Sequence, residues 1–176
     1  VRSRARWNII AQGVMFAHIE TRRDPRLKGA TDPHMWNDNW SGYLKSRQAM
    51  IALLASHKDR NPVLLSGDIH AHFVNRIFRD WRKPGGEPVA PEFVCAAISS
   101  FARDLTPVVS DEANAHVVAF YDKSHQGYVS CLVTPKDFEA TMVRITDKDR
   151  AKGTSTADRS VRFNVTAGDP EPRRVG

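Results

Sequence analysis

The chain has only two cysteines, Cys95 and Cys131, in 176 residues. That excludes a disulfide framework and a cluster of thiolate ligands. The two can pair or stand as separate buried thiols, and spacing does not choose between these. No apolar run approaches the length of a membrane span. Val1 to Arg6 lack the apolar stretch of a signal peptide. There is no Gly-x-Ser-x-Gly elbow, no phosphate-cradling P-loop and no thiol in a setting that would lower its pKa. The first residue is not methionine, so the expectation is a chain that begins inside a longer protein. Basic residues outnumber acidic ones, 26 to 20, for a net charge of +6. They cluster only at Arg2–Arg6, Arg22–Lys28 and Arg173–Arg174. The excess favours phosphate-bearing partners. Without aromatic residues interleaved among the cations, no nucleic-acid-binding module is expected.

The residues present are those of one domain or part of one, 41% hydrophobic and 26% charged. Trp7 to Ala17 form an apolar, β-branched run without a helix cap, which reads as a buried strand. Residues 20 to 42 are polar and punctuated by Pro25, Gly29, Pro33 and Gly42. Trp36 and Trp40 fall in this loop, where an aromatic ring usually anchors the loop to the body and sometimes lines a substrate mouth. Tyr43 to His57 spaces Leu44, Ile51 and Leu54 as a helix does, with Met50 and Leu53 alongside and neither glycine nor proline inside.

Asn61 to Leu65 is a short buried strand, and it delivers Ser66-Gly67-Asp68-Ile69-His70-Ala71-His72 to a sheet edge. If the backbone stays extended, Asp68 and His70 share a face and His72 can join them. A carboxylate with an imidazole suits the harder metals. The alternative is a solvated loop in which Asp68 caps a turn and the histidines face water. Beyond His72 the pattern is β-type. Strands are expected at residues 73–78, 91–98, 116–121, 127–133, 138–145 and 161–166, with 116–121 and 127–133 as a hairpin. Residues 107–113 and 146–160 read as loops, and the tail from Gly168 as frayed.

The order of Asn37 to Tyr43, a helix, Val63 to His70, Glu92-Phe93-Val94 with Ile98-Ser99-Ser100, and Gly127-Tyr128 leading to Val133-Thr134-Pro135 resembles the C-terminal part of PhoD-like alkaline phosphatases. These belong to the calcineurin-like metallophosphoesterase class, and the resemblance runs from about Trp7 to Gly168. It implies an α/β fold: part of a four-layer α/β/β/α sandwich, β-rich in its C-terminal half. Residues 1–168 would be the C-terminal part of the domain and 169–176 a tail. It implies metal-dependent hydrolysis of phosphate mono- or diesters, with iron and calcium as cofactors and secretion or a periplasmic location. Asp68 would be a ligand on the calcium side and His70 on the iron side. The remaining ligands would lie in a missing N-terminal half, so the fragment alone would be inactive. Trp40 and Tyr43 are candidates to border the substrate. Ser41 stands where the family more often has aspartate, and Cys95 where a small residue is usual. His72 takes no ligand role from the resemblance, and at His116 a structural hydrogen bond is expected. Arg76 and Arg103 could meet a phosphate as guanidinium forks. The rival reading is a non-catalytic β-rich binding or structural domain.

Overall fold

The computed structural model describes residues 4–21, 38–83, 85–149, 154–157 and 160–176. Trp36, Asn37, Pro84 and much of the expected 20–42 loop lie outside the described residues. The chain folds as two five-stranded sheets with helices against one of them. The first sheet orders β1 (Asn8–Val14), β2 (Pro62–Gly67), β4 (Ala90–Val94), β3 (His72–Ile77) and β5 (Val118–Asp122). β1, β2 and β4 run parallel, whereas β3 is antiparallel to both its neighbours. The second sheet is antiparallel: β10 (Arg173–Val175), β9 (Val161–Thr166), β7 (Asp137–Asp149) and β6 (Gln126–Val133), with β8 (Thr154–Ala157) also on β7.

Alternation explains how the two sheets meet. Phe138, Ala140 and Met142 on β7, with Val161, Phe163 and Val165 on β9, turn one face inward at every second residue. They pack on Trp7, Val63, Val74 and Phe93 from the first sheet. The rings of Phe93 and Phe138 stack with centroids 5.8 Å apart. The opposite face of the first sheet carries Leu64, Phe73, Ile77 and Val94, covered by Ile51, Leu54 and Ala55 of α1 (Leu44–Ser56) and Val108 of α2 (Thr106–Val109). A strand buried on both faces is apolar almost throughout, as β2 and β4 are except for Ser66 and Glu92, which bond each other.

Several expectations change. β1 does join the sheet of β2, but as an edge strand of alternating exposure, not a buried one. On α1, Leu44 and Leu53 are exposed and Arg47 takes the buried face, because its guanidinium has partners inside. Residues 107–113 include most of α2 and the start of a 3-10 turn at Glu112–Asn114. β5 and β6 are not a hairpin: β5 pairs with β3 and β6 with β7, so the link between them crosses from sheet to sheet. β7 continues to Asp149 and β8 returns along it where a loop was expected. The tail is held, since β10 pairs with β9, Gly168 N–H donates to Asn61 Oδ1 at 2.6 Å, and Arg76 bonds Glu171 at 2.8 Å. That ion pair also removes Arg76 as a free fork. Among the described residues no helix is long and apolar enough to cross a membrane.

Candidate functional site

The three parallel strands end level with one another, for Val14 pairs with Gly67 and Ser66 with Val94. Ligands in α/β sheets gather outside such carboxyl ends. Asp68 and His70 sit in the bend that leaves β2, and both are exposed. The strand does not continue through them. It stops at Gly67, and Asp68 (φ 71°) and His70 (φ 61°) both take the left-handed conformation. The period-two argument that placed them on one face therefore fails: both side chains leave from an irregular bend, not from one face of a strand. Left-handed backbone at non-glycine residues is strained and persists where surrounding contacts over-determine it.

Those contacts are visible. Cys95 N–H donates to Ser66 O at 2.8 Å, continuing the β2–β4 pairing to the brink of the bend. His70 Nδ1 lies 3.3 Å from Phe101 O, tying the bend after β2 to the loop after β4. An Nδ1–H donated to a backbone carbonyl fixes the tautomer with Nε2 as the lone-pair nitrogen, the arrangement common in metal-bound histidines. Asp68 and His70, the pair expected to ligate a metal, are thus an exposed carboxylate and an exposed imidazole in one bend. Among the described residues, no group of three or more His, Cys, Asp or Glu side chains has the geometry to hold one.

Glu92, fully buried, sits beneath the bend. Its Oε1 accepts from Phe16 N–H and Ser66 Oγ–H, both at 2.6 Å, and Oε2 from Ala17 N–H and Asn75 Nδ2, both at 3.0 Å. One carboxylate joins the segment leaving β1, the end of β2, and β3. Arg47 Nε donates to Phe16 O at 3.0 Å. Burial lowers the Arg47 pKa to about 10, opposed by the nearby Glu92 charge. Sequence reading missed this hub; the signal was a charged residue inside the apolar run Pro91 to Val94.

His72 does not join Asp68 and His70. It is completely buried, accepts from Ala96 N–H at 3.4 Å on Nδ1, and has no hydrogen-bond partner for Nε2. Burial brings its pKa down to about 4, with Asp122 pulling the other way. Gly127 makes room for the ring, because a Cβ there would meet Val143 O at 1.9 Å and His72 Nε2 at 3.0 Å. Next to it, burial pushes the Asp122 carboxyl upward, but bonds from Arg144, Ser124 N–H and His125 prevail and hold it below the ordinary value. His116 makes the structural bond expected of it, Nε2 to Trp81 O.

Trp40 anchors its loop: the indole N–H donates to Gln12 Oε1 at 2.5 Å and the ring packs on Phe16. With Tyr43 it also borders a depression of about 280 Å³ beside Val14. Ser41 is buried and its hydroxyl lies 3.1 Å from His18 Nδ1. The side chain therefore serves the interior, whatever a carboxylate does at this place in relatives. Cys95 and Cys131 are both free thiols, and burial raises both.

Residues 1–142 match the family model described as PhoD-like phosphatase. The chain belongs to the PhoD-like phosphatase family. It is 30% identical over 144 residues to alkaline phosphatase D of Bacillus subtilis (strain 168), a match that covers 78% of this chain and 23% of the relative. A solved structure, "Structure of PhoD", superposes with a TM-score of 0.80 at 25% identity, covering 98% of this chain and 32% of the other. The match thus spans less than a third of the length of either relative. The α/β sandwich and the family expected from the sequence are both found.

Proposed function

We propose that the complete protein hydrolyses phosphate esters at a metal centre to which this PhoD-like chain gives two ligands, Asp68 and His70. The observation that carries the reading is the strained bend at the end of β2. It exposes a carboxylate and an imidazole and leaves Nε2 of that imidazole free. The donor set suits a hard metal, and the family resemblance would put Asp68 on a calcium side and His70 on an iron side. When bound, such ions polarise phosphoryl oxygens and lower the pKa of a water. The chain's own part is to hold these donors in place. Phe101 O orients the His70 ring, and Glu92, through Ser66, fixes the strand end from which Asp68 projects. Two protein ligands rarely hold a catalytic metal alone. Residues 1–168 are therefore the C-terminal part of the domain, with 169–176 following and the other ligands supplied by an N-terminal part. Family membership also supports an exported, secreted or periplasmic enzyme.

The test compares the full-length protein, its Asp68→Ala and His70→Ala variants, and this chain alone. Each is assayed on an aryl phosphodiester with iron and calcium added and analysed for bound metal. Each variant should lose metal, and should lose more activity than the roughly 10- to 100-fold typical of removing a support behind a ligand. This chain alone should turn over negligibly. Unchanged metal content in both variants would refute the ligand assignment, and vigorous turnover by the chain alone would refute the divided site. A full-length protein that binds no metal and hydrolyses nothing would favour the non-catalytic β-rich domain.

A further inference from the structure

We infer that the depression between Trp40 and Tyr43 receives an uncharged ring in the alcohol part of the ester. This rests on the reading above for what lies next door, but the pocket is defined independently. Its lining is Val14, Asp38, Asn39, Trp40, Tyr43 and Ser46. Val14 is the strand partner of Gly67, the residue before Asp68. Adjacent strands lie about 4.8 Å apart, so the depression opens on the β1 side of the bend that holds the candidate ligands. A substrate with its phosphoryl group at Asp68 can reach it with its alcohol part.

Chemistry narrows the occupant. Among the described residues no lysine or arginine lines the pocket, and the one charged side chain is the Asp38 carboxylate. A second phosphate there would meet that like charge with no cation from the described residues to pair it. Ring surface is what the pocket offers. Trp40 is fixed by its bond to Gln12 and by Phe16, 5.0 Å away between centroids, so the indole presents a pre-set surface. Tyr43 is 64% exposed, without side-chain capping duty on the helix it precedes. Asn39 Oδ1 accepts from Ser41 N–H at 2.8 Å. Two aromatic rings favour a ring stacked or tilted against them over a polar alcohol. The volume, about 280 Å³, is enough for one ring and not for an extended polymer.

The test titrates this chain with phenol, phenylphosphonate and methylphosphonate while recording the Trp40 indole N–H and Tyr43 amide resonances. Both ring-bearing probes should shift these signals, and methylphosphonate should not. Tyr43→Ala should weaken phenol and phenylphosphonate binding by roughly three- to tenfold, and Asp68→Ala should leave the phenol response intact. In the full-length enzyme, Tyr43→Ala should raise KM for an aryl ester with little change in kcat and leave a methyl ester unaffected. Equal shifts with methylphosphonate, no shift with phenol, or a response indifferent to Tyr43→Ala would each overturn the inference. Because phenol carries no phosphoryl group, its response stands or falls apart from the metal-site proposal.

Discussion

The two faces of the first sheet are built on opposite principles. Between the sheets, Phe93, Phe138, Met142, Phe163 and their neighbours form a dry layer held by apolar area and ring packing. On the helix side, an equally buried layer is threaded with polar groups: Glu92, Arg47, His18, Ser41 and Asn114. Asn114 alone bonds Glu20 N–H, Glu20 O and Val108 O. The dry face needs only regular strands, whose backbone groups satisfy one another. The helix-side face must bury the irregular segment 15–21, whose backbone has no strand partner, so side chains supply its hydrogen bonds. Irregular chain is also what a site at strand ends requires, and the polar layer is the structural cost of placing it there.

The comparison breaks most sharply at Glu92. Glu92→Ala strands four buried donors and removes the carboxylate charge that favours the Arg47 cation, so a loss of about 4 kcal/mol or more is expected in denaturant unfolding. A loss below about 1 kcal/mol would show that the polar hub is not what holds the helix-side layer. On the dry face, Phe138→Ala should cost about 3–4 kcal/mol as lost transfer energy plus cavity. That loss should be the same at pH 5 and pH 7, because no titrating group takes part. Gly127→Ala, at the seam where β6 passes His72, forces a Cβ against backbone and should cost about 2–3 kcal/mol. A neutral outcome in thermal unfolding would mean that the seam is looser than drawn.

Acid sharpens the contrast between the faces. Burial brings the His18 pKa down to about 4, with Arg47 and Arg82 adding to the effect, from 6.5 in the unfolded chain. The folded state therefore holds the neutral ring. Its contribution is complete above about pH 6.5 and is lost progressively as pH falls toward 4. The unfolding midpoint should fall over that window, and His18→Phe should flatten the fall; an unaltered slope would remove His18 from the account. The smallest effect belongs to Ser41→Ala, which takes one hydroxyl from His18 and should cost about 1 kcal/mol in the same unfolding measurement.

The sequence by itself determined the local elements whose pattern repeats: α1 from its composition, β2 and β9 from apolar run and alternation, and the sheet shared by β1 and β2. It also determined the family, through the order of its motifs. Only the tertiary structure decided what depends on distant partners. β5 and β6 look like a hairpin because a short link joins two strands, yet β5 pairs with β3 in the first sheet and β6 with β7 in the second. β8 and β10 are too polar to be read as strands, and they form because β7 and β9 offer edges to pair with. Gly67 permits a turn there, but the left-handed conformation falls on Asp68 and His70 themselves, beside contacts from Phe101 and Cys95. Glu92 appeared to be one charge in an apolar strand; the donors that make it tolerable come from Phe16, Ala17, Ser66 and Asn75. Local pattern records which face a residue prefers, and burial of a charge is settled only by the groups that meet it.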